Sequence, residues 1–265
     1  MMNTNGDNKT AQVIVSLTSF PAAIEFVLPT VRSILAGTVL PDKIVLYLTY
    51  SQFEDSGIPQ ELLDLSRENP IFEIRNYDSE IRSYRKLIPA LKDFPEAVIV
   101  TIDDDTDYHP DMLASLLRLH RQFPDHVLAH RAKRILPDKP YKKWPKLRWY
   151  HFLSGKIKIS PAIIQTGVGG VLYPPHSLKE DMLDEKLFRE MAPTTDDIWF
   201  WAAAVANGRT VIPVPFGPHN KPKGLGKPRE LALKTVNFKS GTDRNDLAFK
   251  AIIEKYPEVN HQFEK

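Results

Sequence analysis

Three consecutive carboxylates follow an apolar run in the first half of the chain. Asp103, Asp104 and Asp105 come directly after residues 97–102, which read Ala-Val-Ile-Val-Thr-Ile. Like charges crowded at the end of a buried strand repel one another, and a divalent cation with phosphate oxygens in its shell relieves that repulsion. The triplet therefore predicts Mg²⁺ or Mn²⁺ holding a diphosphate leaving group. A solvated acidic loop ahead of a helix is the alternative.

A second acidic pair opens a helical pattern that runs from Thr195 to Asn207. Thr195 is a good N-cap, and acids in a first turn gain about 0.3–1 kcal/mol from the helix dipole, so a structural role explains Asp196 and Asp197 as well. In the functional interpretation Asp197 is a general base for an acceptor hydroxyl, and Trp199 belongs to a sugar-stacking wall. Because a helix N-terminus lowers a carboxylate's pKa, we expect Asp197 to be a weak but ionised base.

A glycine-rich stretch lies between these two acidic groups. Gly167, Gly169 and Gly170 form a strand bulge or turn, or they let a ligand approach the backbone closely. The spacing is not that of the dinucleotide-binding fingerprint, because no strand–turn–helix pattern accompanies it. The second interpretation predicts that Gly169 and Gly170 contact a ligand.

Three isolated basic residues also have two interpretations each. His219 is an ordinary loop histidine, or it is a third metal ligand or a diphosphate contact. Arg82 and Lys86 lie between the predicted third and fourth strands. They are surface residues, or they reach a nucleotide that carries the diphosphate.

Positive charge is concentrated in residues 131–158. This segment holds ten Lys and Arg residues against one acid, Asp138, with Tyr, Trp and Phe interleaved. It is a solvated loop, a cradle for an anionic acceptor, or a contact for a membrane surface that carries a lipid-linked acceptor. A nucleic-acid site is the remaining alternative, but no nucleic-acid-binding motif is present, so we predict no such partner.

Composition limits the class of protein. The chain has 265 residues, 42% hydrophobic and 26% charged, with no cysteine and a formal net charge of +2. These values are ordinary for a soluble globular protein and exclude disulfides and thiolate metal sites. No apolar run is long enough to span a bilayer, and the polar residues 1–10 predict a disordered tail rather than a signal peptide. We expect a cytoplasmic protein, with peripheral contact at the inner face of the membrane as an option.

The first half alternates strand-like and helix-like segments. This pattern predicts an α/β fold with a mostly parallel sheet flanked by helices. Ligands bind such sheets at the carboxyl ends of the strands, so Thr18, Ser19 and the acidic triplet are expected to line one crevice. The predicted strands are 13–17, 43–48, 72–76, 97–102 and 127–129, and the predicted helices are 24–35 with a break at Pro29, 59–67, 85–91, and 110–121 with Pro110 at its first position.

The second half is less regular. It predicts helices at 184–191, 195–207 and 243–256, a strand at 210–214, and a Pro/Gly/Lys-rich loop at 215–229. No linker divides the chain. We therefore predict a single domain over 11–265, in which 11–130 bind the nucleotide and 131–265 form an irregular acceptor-binding half.

Five segments in this order resemble bacterial GT-A-type glycosyltransferases, which assemble surface polysaccharides such as capsule and lipopolysaccharide. The resemblance covers residues 13 to about 257 and rests on 16–21, 83–91, 101–105, 166–175 and 196–200. It implies a Rossmann-like GT-A fold, a nucleotide-sugar donor, and a glycan or lipid-linked glycan acceptor.

The resemblance also implies roles for particular residues. The triplet matches the Asp-x-Asp motif, so Asp105 is expected to hold Mn²⁺ or Mg²⁺, with Asp103 and Asp104 toward ribose and metal waters. Thr18 and Ser19 match the region that touches the nucleotide.

On the acceptor side, the second member of the acidic pair, Asp197, matches the base of inverting enzymes. Asp196, Trp199 and the two later glycines of the glycine-rich stretch then face the acceptor. One departure concerns residues 48–51, where many relatives carry an acid that recognises uracil and this chain has Leu-Thr-Tyr-Ser. The expectation that the nucleotide is UDP therefore rests on the overall resemblance and not on an acid at these positions.

Two other classes of protein share parts of this pattern. A sugar nucleotidyltransferase also holds metal with acids on an α/β sheet, but it needs a glycine- and Lys/Arg-rich phosphate loop after the first strand, which residues 18–21 do not supply. A non-catalytic glycan-binding module would use the chain's four tryptophans, Trp144, Trp149, Trp199 and Trp201.

Overall fold

Short runs rich in Val, Ile and Leu form the strands of the computed structural model, which describes residues 11–153, 159–228, 230 and 243–263. The strands in this part of the chain are β1 (Val13–Thr18), β2 (Lys43–Leu48), β3 (Phe72–Asn76), β4 (Val98–Thr101), β5 (Thr106–Asp107), β6 (Val127–Ala129), β7 (Ala132–Arg134), β8 (Ile163–Gln165), β9 (Val171–Tyr173), β10 (Val211–Pro213) and β11 (Lys223–Gly224).

Seven of these strands make one sheet in the order β10–β6–β9–β4–β1–β2–β3. β1 is parallel to β2 and β4, β2 to β3, and β6 to β10, whereas β9 runs antiparallel between β4 and β6. The predicted α/β fold with a mostly parallel sheet is confirmed. The chain proceeds outward from β1 to β3 and then returns to place β4 on the other side of β1, so the switch point of the sheet lies between β1 and β4.

Helices cover both faces of this sheet. Neighbouring strand residues alternate between the two cores: Ile14 packs in one apolar cluster and Val15 in the other. One core includes α1, α2 and α4, and the other includes α3 and α5–α8. The helices are α1 (Val27–Leu35), α2 (Gln60–Glu68), α3 (Ile88–Asp93), α4 (Met112–His120), α5 (Glu185–Met191), α6 (Asp196–Ala206), α7 (Arg244–Lys255) and α8 (Pro257–Asn260).

The predicted helix starts differ from the structure at two prolines. Residues 21–26 form a 3₁₀ helix and α1 begins at Val27, so Pro29 lies in its first turn and the break precedes it. A first-turn proline costs no helical hydrogen bond, which is why α1 tolerates it. The predicted first position for Pro110 is wrong, because α4 begins two residues later at Met112.

Two small antiparallel pairs stand beside the central sheet. β5 follows the acidic triplet and pairs with β11, which comes from the Pro/Gly/Lys-rich loop. β7 pairs with β8 and carries the start of the basic segment. The glycine-rich stretch, interpreted from sequence as a turn or ligand contact, leads directly into β9. The predicted tail, residues 1–10, lies outside the described residues.

Candidate active site

The carboxyl ends of β1 and β4 open into a cleft of about 1520 Å³. Thr18 and Ser19 line it together with all three aspartates of the triplet, as the strand-end argument predicted. The acidic pair at the start of α6 lines the same cleft. The fold thus brings together two acidic groups that are more than ninety residues apart in the chain.

Asp104 has both carboxylate oxygens engaged within the protein. Oδ2 accepts a hydrogen bond from Ser19 Oγ (2.6 Å), and Oδ1 lies 2.8 Å from Lys227 Nζ. The Thr30 hydroxyl donates to the Asp104 carbonyl (2.9 Å). Burial raises the pKa of the Asp104 carboxyl, against the opposing effects of the lysine and the serine. Asp104 therefore ties the ends of β1 and β4 to the loop around residue 227, a different role from the ribose contact expected from the sequence.

Lys86 is buried between the two acidic groups. Its Nζ lies 3.3 Å from Asp103 Oδ1 and 3.3 Å from Asp196 Oδ2. Burial alone lowers the pKa of a lysine, but Asp196, Asp103 and Asp197 together hold the pKa of Lys86 well above its usual value. It stays charged and bridges the end of β4 to α6. From the sequence, Lys86 and Arg82 were expected to lie at the surface or to reach the nucleotide. Both line the cleft, but the Lys86 ammonium already pairs with carboxylates of the protein.

Asp197 is held at the start of α6 by the glycine-rich stretch. The Gly167 N–H donates to Asp197 Oδ2 (3.2 Å), and Gln165 Nε2 donates to the Asp197 carbonyl (2.9 Å). A Cβ built on that glycine would lie 2.8 Å from Lys86 Nζ, 3.4 Å from Asp197 Oδ1 and 3.5 Å from Asp103 Oδ1. A side chain there would enter the centre of the site and displace the Lys86 ammonium, so this close approach favours glycine.

The predicted low pKa of Asp197 is wrong. Burial, followed by the charges of Asp196 and Asp103, raises the pKa of Asp197 to about 7, although Lys86 and the Gly167 N–H oppose this shift. Loss of water and like-charge repulsion outweigh the helix N-terminus, whose effect is small by comparison. A carboxylate with this pKa is a far better proton acceptor than an ordinary aspartate.

A cation at the triplet would be held by few protein ligands. Asp105 is half-buried, lines the cleft, and makes only loose contacts, 3.4 Å to Thr106 Oγ1 and 3.7 Å to Lys227 Nζ. Within the described residues no three His, Asp or Glu side chains form a group able to hold a metal ion by themselves. That arrangement suits Mg²⁺ or Mn²⁺, which commonly bind through one or two carboxylates with substrate phosphates completing the shell.

His219 does not belong to this group. The centre of its ring lies 5.3 Å from that of His130 with the two rings tilted by 60°, its Nε2 lies 3.2 Å from the Pro215 carbonyl, and it is not among the described residues that line the cleft. The prediction of His219 as a metal ligand is therefore corrected, because its ring packs beside α4 rather than among the aspartates.

The two later glycines of the stretch face the protein interior. Gly169 and Gly170 have φ of 105° and 99°, and Cβ atoms there would meet the side chains of His130, Arg131 and Met112. His130 fixes this turn: Nδ1 lies 2.8 Å from the Gly169 carbonyl, and Nε2 lies 2.8 Å from Ser115 Oγ. Backbone conformation, rather than an acceptor, explains these glycines.

Trp199 is a core residue and not a sugar-stacking wall. It is 0% exposed, and its Nε1 donates to the Met182 carbonyl (2.7 Å). Trp144 and Trp201 are buried as well, whereas Trp149 is 56% exposed and lines the cleft. A lectin-like surface built from the four tryptophans does not exist here.

Sequence reasoning missed several residues of the site. Gly167 was noted only as part of a glycine run, although it alone of the three glycines faces the carboxylates. Lys227 lies in a Pro/Gly/Lys-rich loop with no periodicity that marks one lysine among several. Thr195 occupies the N-cap position of α6 as expected, but its side chain makes no capping hydrogen bond and is buried at the cleft.

Comparisons with known proteins leave function to be argued from this geometry. No protein-family model matches the chain, and no curated protein matches it. Among solved structures, residues 1–349 of S. aureus TarS align with a TM-score of 0.46 and 11% sequence identity. The alignment covers 78% of this chain and 58% of that one, so the chain spans less than two thirds of the TarS structure.

The fold and the site together define an α/β protein whose mostly parallel sheet carries an acidic, lysine-bridged cleft at its switch point. In the part of the chain that the structure describes, no helix has the length and hydropathy needed to cross a bilayer.

Proposed function

We propose that this protein is a metal-dependent glycosyltransferase that moves a sugar from a nucleotide-sugar donor to a hydroxyl of a bacterial surface glycan. The observation that carries the proposal is the placement of Asp197, with a pKa raised to about 7, in the same cleft as the acidic triplet. A transferase of this kind needs a site for a diphosphate and a base for the attacking hydroxyl. The cleft supplies candidates for both.

The proposed metal site is Asp105, with Asp103 as its neighbour. Five carboxyl groups in the immediate cluster face two lysine ammonium groups, so an excess of negative charge favours a bound cation. Bound there, Mg²⁺ or Mn²⁺ would neutralise charge on the departing diphosphate. Lys227, near both Asp104 and Asp105, lies where it can add a donor to the same phosphates.

The nucleobase end of the cleft is proposed to lie near β2 and β3. Residues 48–51 carry no acid, but Glu80, from the loop after β3, lines the cleft. Its carboxylate contacts Gln52 and lies 3.0 Å from Arg85 Nη2. The carboxylate can accept a hydrogen bond from the edge of a base such as uracil, and the neighbouring amide can donate one to it. UDP therefore stays the proposed nucleotide.

The proposed reaction is a single displacement. Asp197 takes the proton from the acceptor hydroxyl while that oxygen bonds to the anomeric carbon of the donor. The bond from this carbon to the diphosphate oxygen breaks, and its electron pair leaves with the diphosphate. Because Asp197 acts as a base and forms no bond to the sugar, the anomeric configuration inverts.

Calorimetry with nucleoside diphosphates tests the donor site. We expect UDP to bind in the presence of Mn²⁺ and to bind at least about tenfold more weakly without it or to Asp105→Asn. Asp107→Asn is the matched control, because Asp107 is an exposed acid two residues away that does not line the cleft. Equal UDP affinity for wild type and Asp105→Asn would remove the proposed metal site.

Turnover of sugar nucleotides tests the base. Release of nucleoside diphosphate should fall by at least about a hundredfold in Asp197→Asn, while the affinity for UDP with Mn²⁺ stays unchanged. Persistence of turnover in this variant would show that the proton is accepted elsewhere.

A further inference from the structure

A wall of positive charge lines part of the cleft that also holds Asp197. It belongs to the segment 131–153, which holds eight Lys and Arg residues and the single acid Asp138. Three of its exposed cations line the cleft: Lys142, Lys146 and Arg148. In the described part of the chain none of these three forms an ion pair with a carboxylate, whereas Lys43, Arg75 and Lys179 elsewhere all do.

The wall is attached directly to the element that holds the proposed base. Ala132 of β7 pairs with Gln165 of β8, and the Gln165 side chain donates to the Asp197 carbonyl. Tyr141 also lies near this base: burial, followed by the charges of Asp197, Asp243 and Asp196, raises the pKa of the Tyr141 hydroxyl. A molecule lying along the wall therefore occupies the same cleft as the Asp197 carboxylate.

Two lysines of the wall stand opposite one another across adjacent strand segments. Lys133 and Lys146 form an antiparallel bridge, flanked by hydrogen bonds from Arg134 N to the Pro145 carbonyl and from Leu147 N to the Ala132 carbonyl. Like charges directly opposite one another destabilise a sheet. The Lys133 ammonium lies 3.5 Å from the centre of the Tyr141 ring, which accommodates one charge, and Lys146 remains exposed at the cleft. Lys146 is thus an exposed cation at the cleft that an anionic ligand can contact.

We propose that the wall binds the anionic groups of a negatively charged acceptor glycan and thereby presents one of its hydroxyls to Asp197. This proposal rests on the proposed function and adds the chemical class of the acceptor. Exposed Trp149 and half-buried Phe152 line the same side of the cleft and supply apolar faces for sugar rings between the charges. The cations stand in a concave cleft beside the proposed catalytic carboxylate, a placement that suits a chain threaded through the site better than a flat membrane.

The test compares two triple variants that remove the same charge. Lys142→Gln/Lys146→Gln/Arg148→Gln alters the cleft-lining cations, and Arg134→Gln/Lys139→Gln/Lys143→Gln alters exposed cations of the same segment that do not line the cleft. Binding is measured with dextran sulfate and with unmodified dextran of equal length. Thermal unfolding shows whether each variant is folded.

We expect wild type to bind dextran sulfate and not dextran, with affinity that falls as salt rises. The cleft-lining triple should lose on the order of tenfold or more in this affinity, because three charge contacts disappear together, and the control triple should lose much less. The affinity for UDP with Mn²⁺ should be unchanged in both. Equal losses in the two triples, or no loss in either, would overturn the proposal.

Two further arms separate other ligands. If the cleft-lining triple loses UDP affinity in step with dextran sulfate affinity, the wall serves the donor and the proposal is wrong. Tighter wild-type binding to vesicles containing phosphatidylglycerol, or to a single-stranded oligonucleotide of matched charge, would likewise overturn it in favour of a membrane or a nucleic acid. Failure of wild type to bind any nucleoside diphosphate would count against the proposed function. Binding of dextran sulfate would still test whether the wall binds an anionic glycan.

Discussion

At the scale of single residues, the site depends on close contacts between carboxylates and the N–H and ammonium groups that face them. Gly167 lets a main-chain N–H reach Asp197 while Lys86 bridges Asp103 and Asp196. A carboxylate in this setting keeps a proton far more readily than one in water. The chemistry therefore arises from the neighbours of Asp197 as much as from its identity.

The raised pKa of Asp197 predicts the pH dependence of turnover. A general base acts when it is deprotonated, so the rate should rise about tenfold per pH unit below its pKa and level off above about 7. Of the two neighbouring carboxylates, Asp196 raises the pKa of Asp197 more than Asp103 does. Asp196→Asn should therefore move this limb of the profile to lower pH, and Asp103→Asn should move it less. A pH–rate profile checks it; an unmoved limb in Asp196→Asn would contradict the electrostatic origin of the shift.

Gly167→Ala should impair turnover more than stability. The added methyl would meet Lys86 Nζ at 2.8 Å and Asp197 Oδ1 at 3.4 Å, so the lysine ammonium has to shift within its bridge. Gly224→Ala is the control, since a Cβ there meets nothing within 4 Å. We expect the first variant to lose at least about tenfold in turnover, because small displacements of catalytic groups are costly, and the second to keep it. Equal activity of both variants would show that the site tolerates the shift.

At the scale of elements, Lys227 ties the loop that carries β11 to Asp104 at the end of β4, in addition to the pairing of β11 with β5. Lys227→Met leaves the carboxylate of Asp104, only 6% exposed, without its cation, and should lower the free energy of unfolding by about 1–3 kcal/mol. In Asp104→Asn/Lys227→Met the stranded charge is absent, so part of this loss should return. Urea denaturation of the single and double variants measures the coupling. An unchanged midpoint for Lys227→Met would show that the loop is held by other contacts.

Two tryptophans, one buried in helix α6 and one exposed at the cleft, should have different roles. Trp199→Phe should lower the free energy of unfolding by about 1–3 kcal/mol, because an indole and its hydrogen bond to the Met182 carbonyl disappear from the core. Trp149→Ala, at the exposed wall of the cleft, should leave stability nearly unchanged and weaken glycan binding. Thermal unfolding and binding to dextran sulfate distinguish the two. Weaker binding in a stable Trp199→Phe would contradict the assignment of this residue to the core.

Sequence patterns predicted the local elements better than the contacts between them. The runs at 43–48 and 72–76 carry their own periodicity, and both strands have these limits in the structure. The site was only half predictable: acids at a strand end point to a crevice, but nothing local pairs Lys227 with Asp104 across more than a hundred residues. One signal was overlooked. Residues 198–206 are apolar on every side of α6, which is typical of a buried helix and argues against an exposed Trp199.

At the scale of the whole molecule, strands from residues 11–130 and strands from the described residues after 130 share one sheet. β9, from the second half, is inserted between β4 and β6 of the first half, and β10 pairs with β6. Without residues 131–265, β6 would lose both neighbours and β4 would expose an unpaired edge. The cleft therefore cannot form from either half alone.

This shared sheet predicts that the halves unfold together. Hydrogen exchange measured across a urea series should give one midpoint for peptides from β1–β3 and for peptides from β9 and β10, because β4 pairs with β1 on one side and with β9 on the other. Tryptophan fluorescence offers a second probe of the later half, since all four tryptophans lie between residues 144 and 201. Its transition should coincide with loss of far-ultraviolet circular dichroism. Two separated midpoints would mean that the β1–β3 side is stable by itself, and that β9 docks on a sheet already formed.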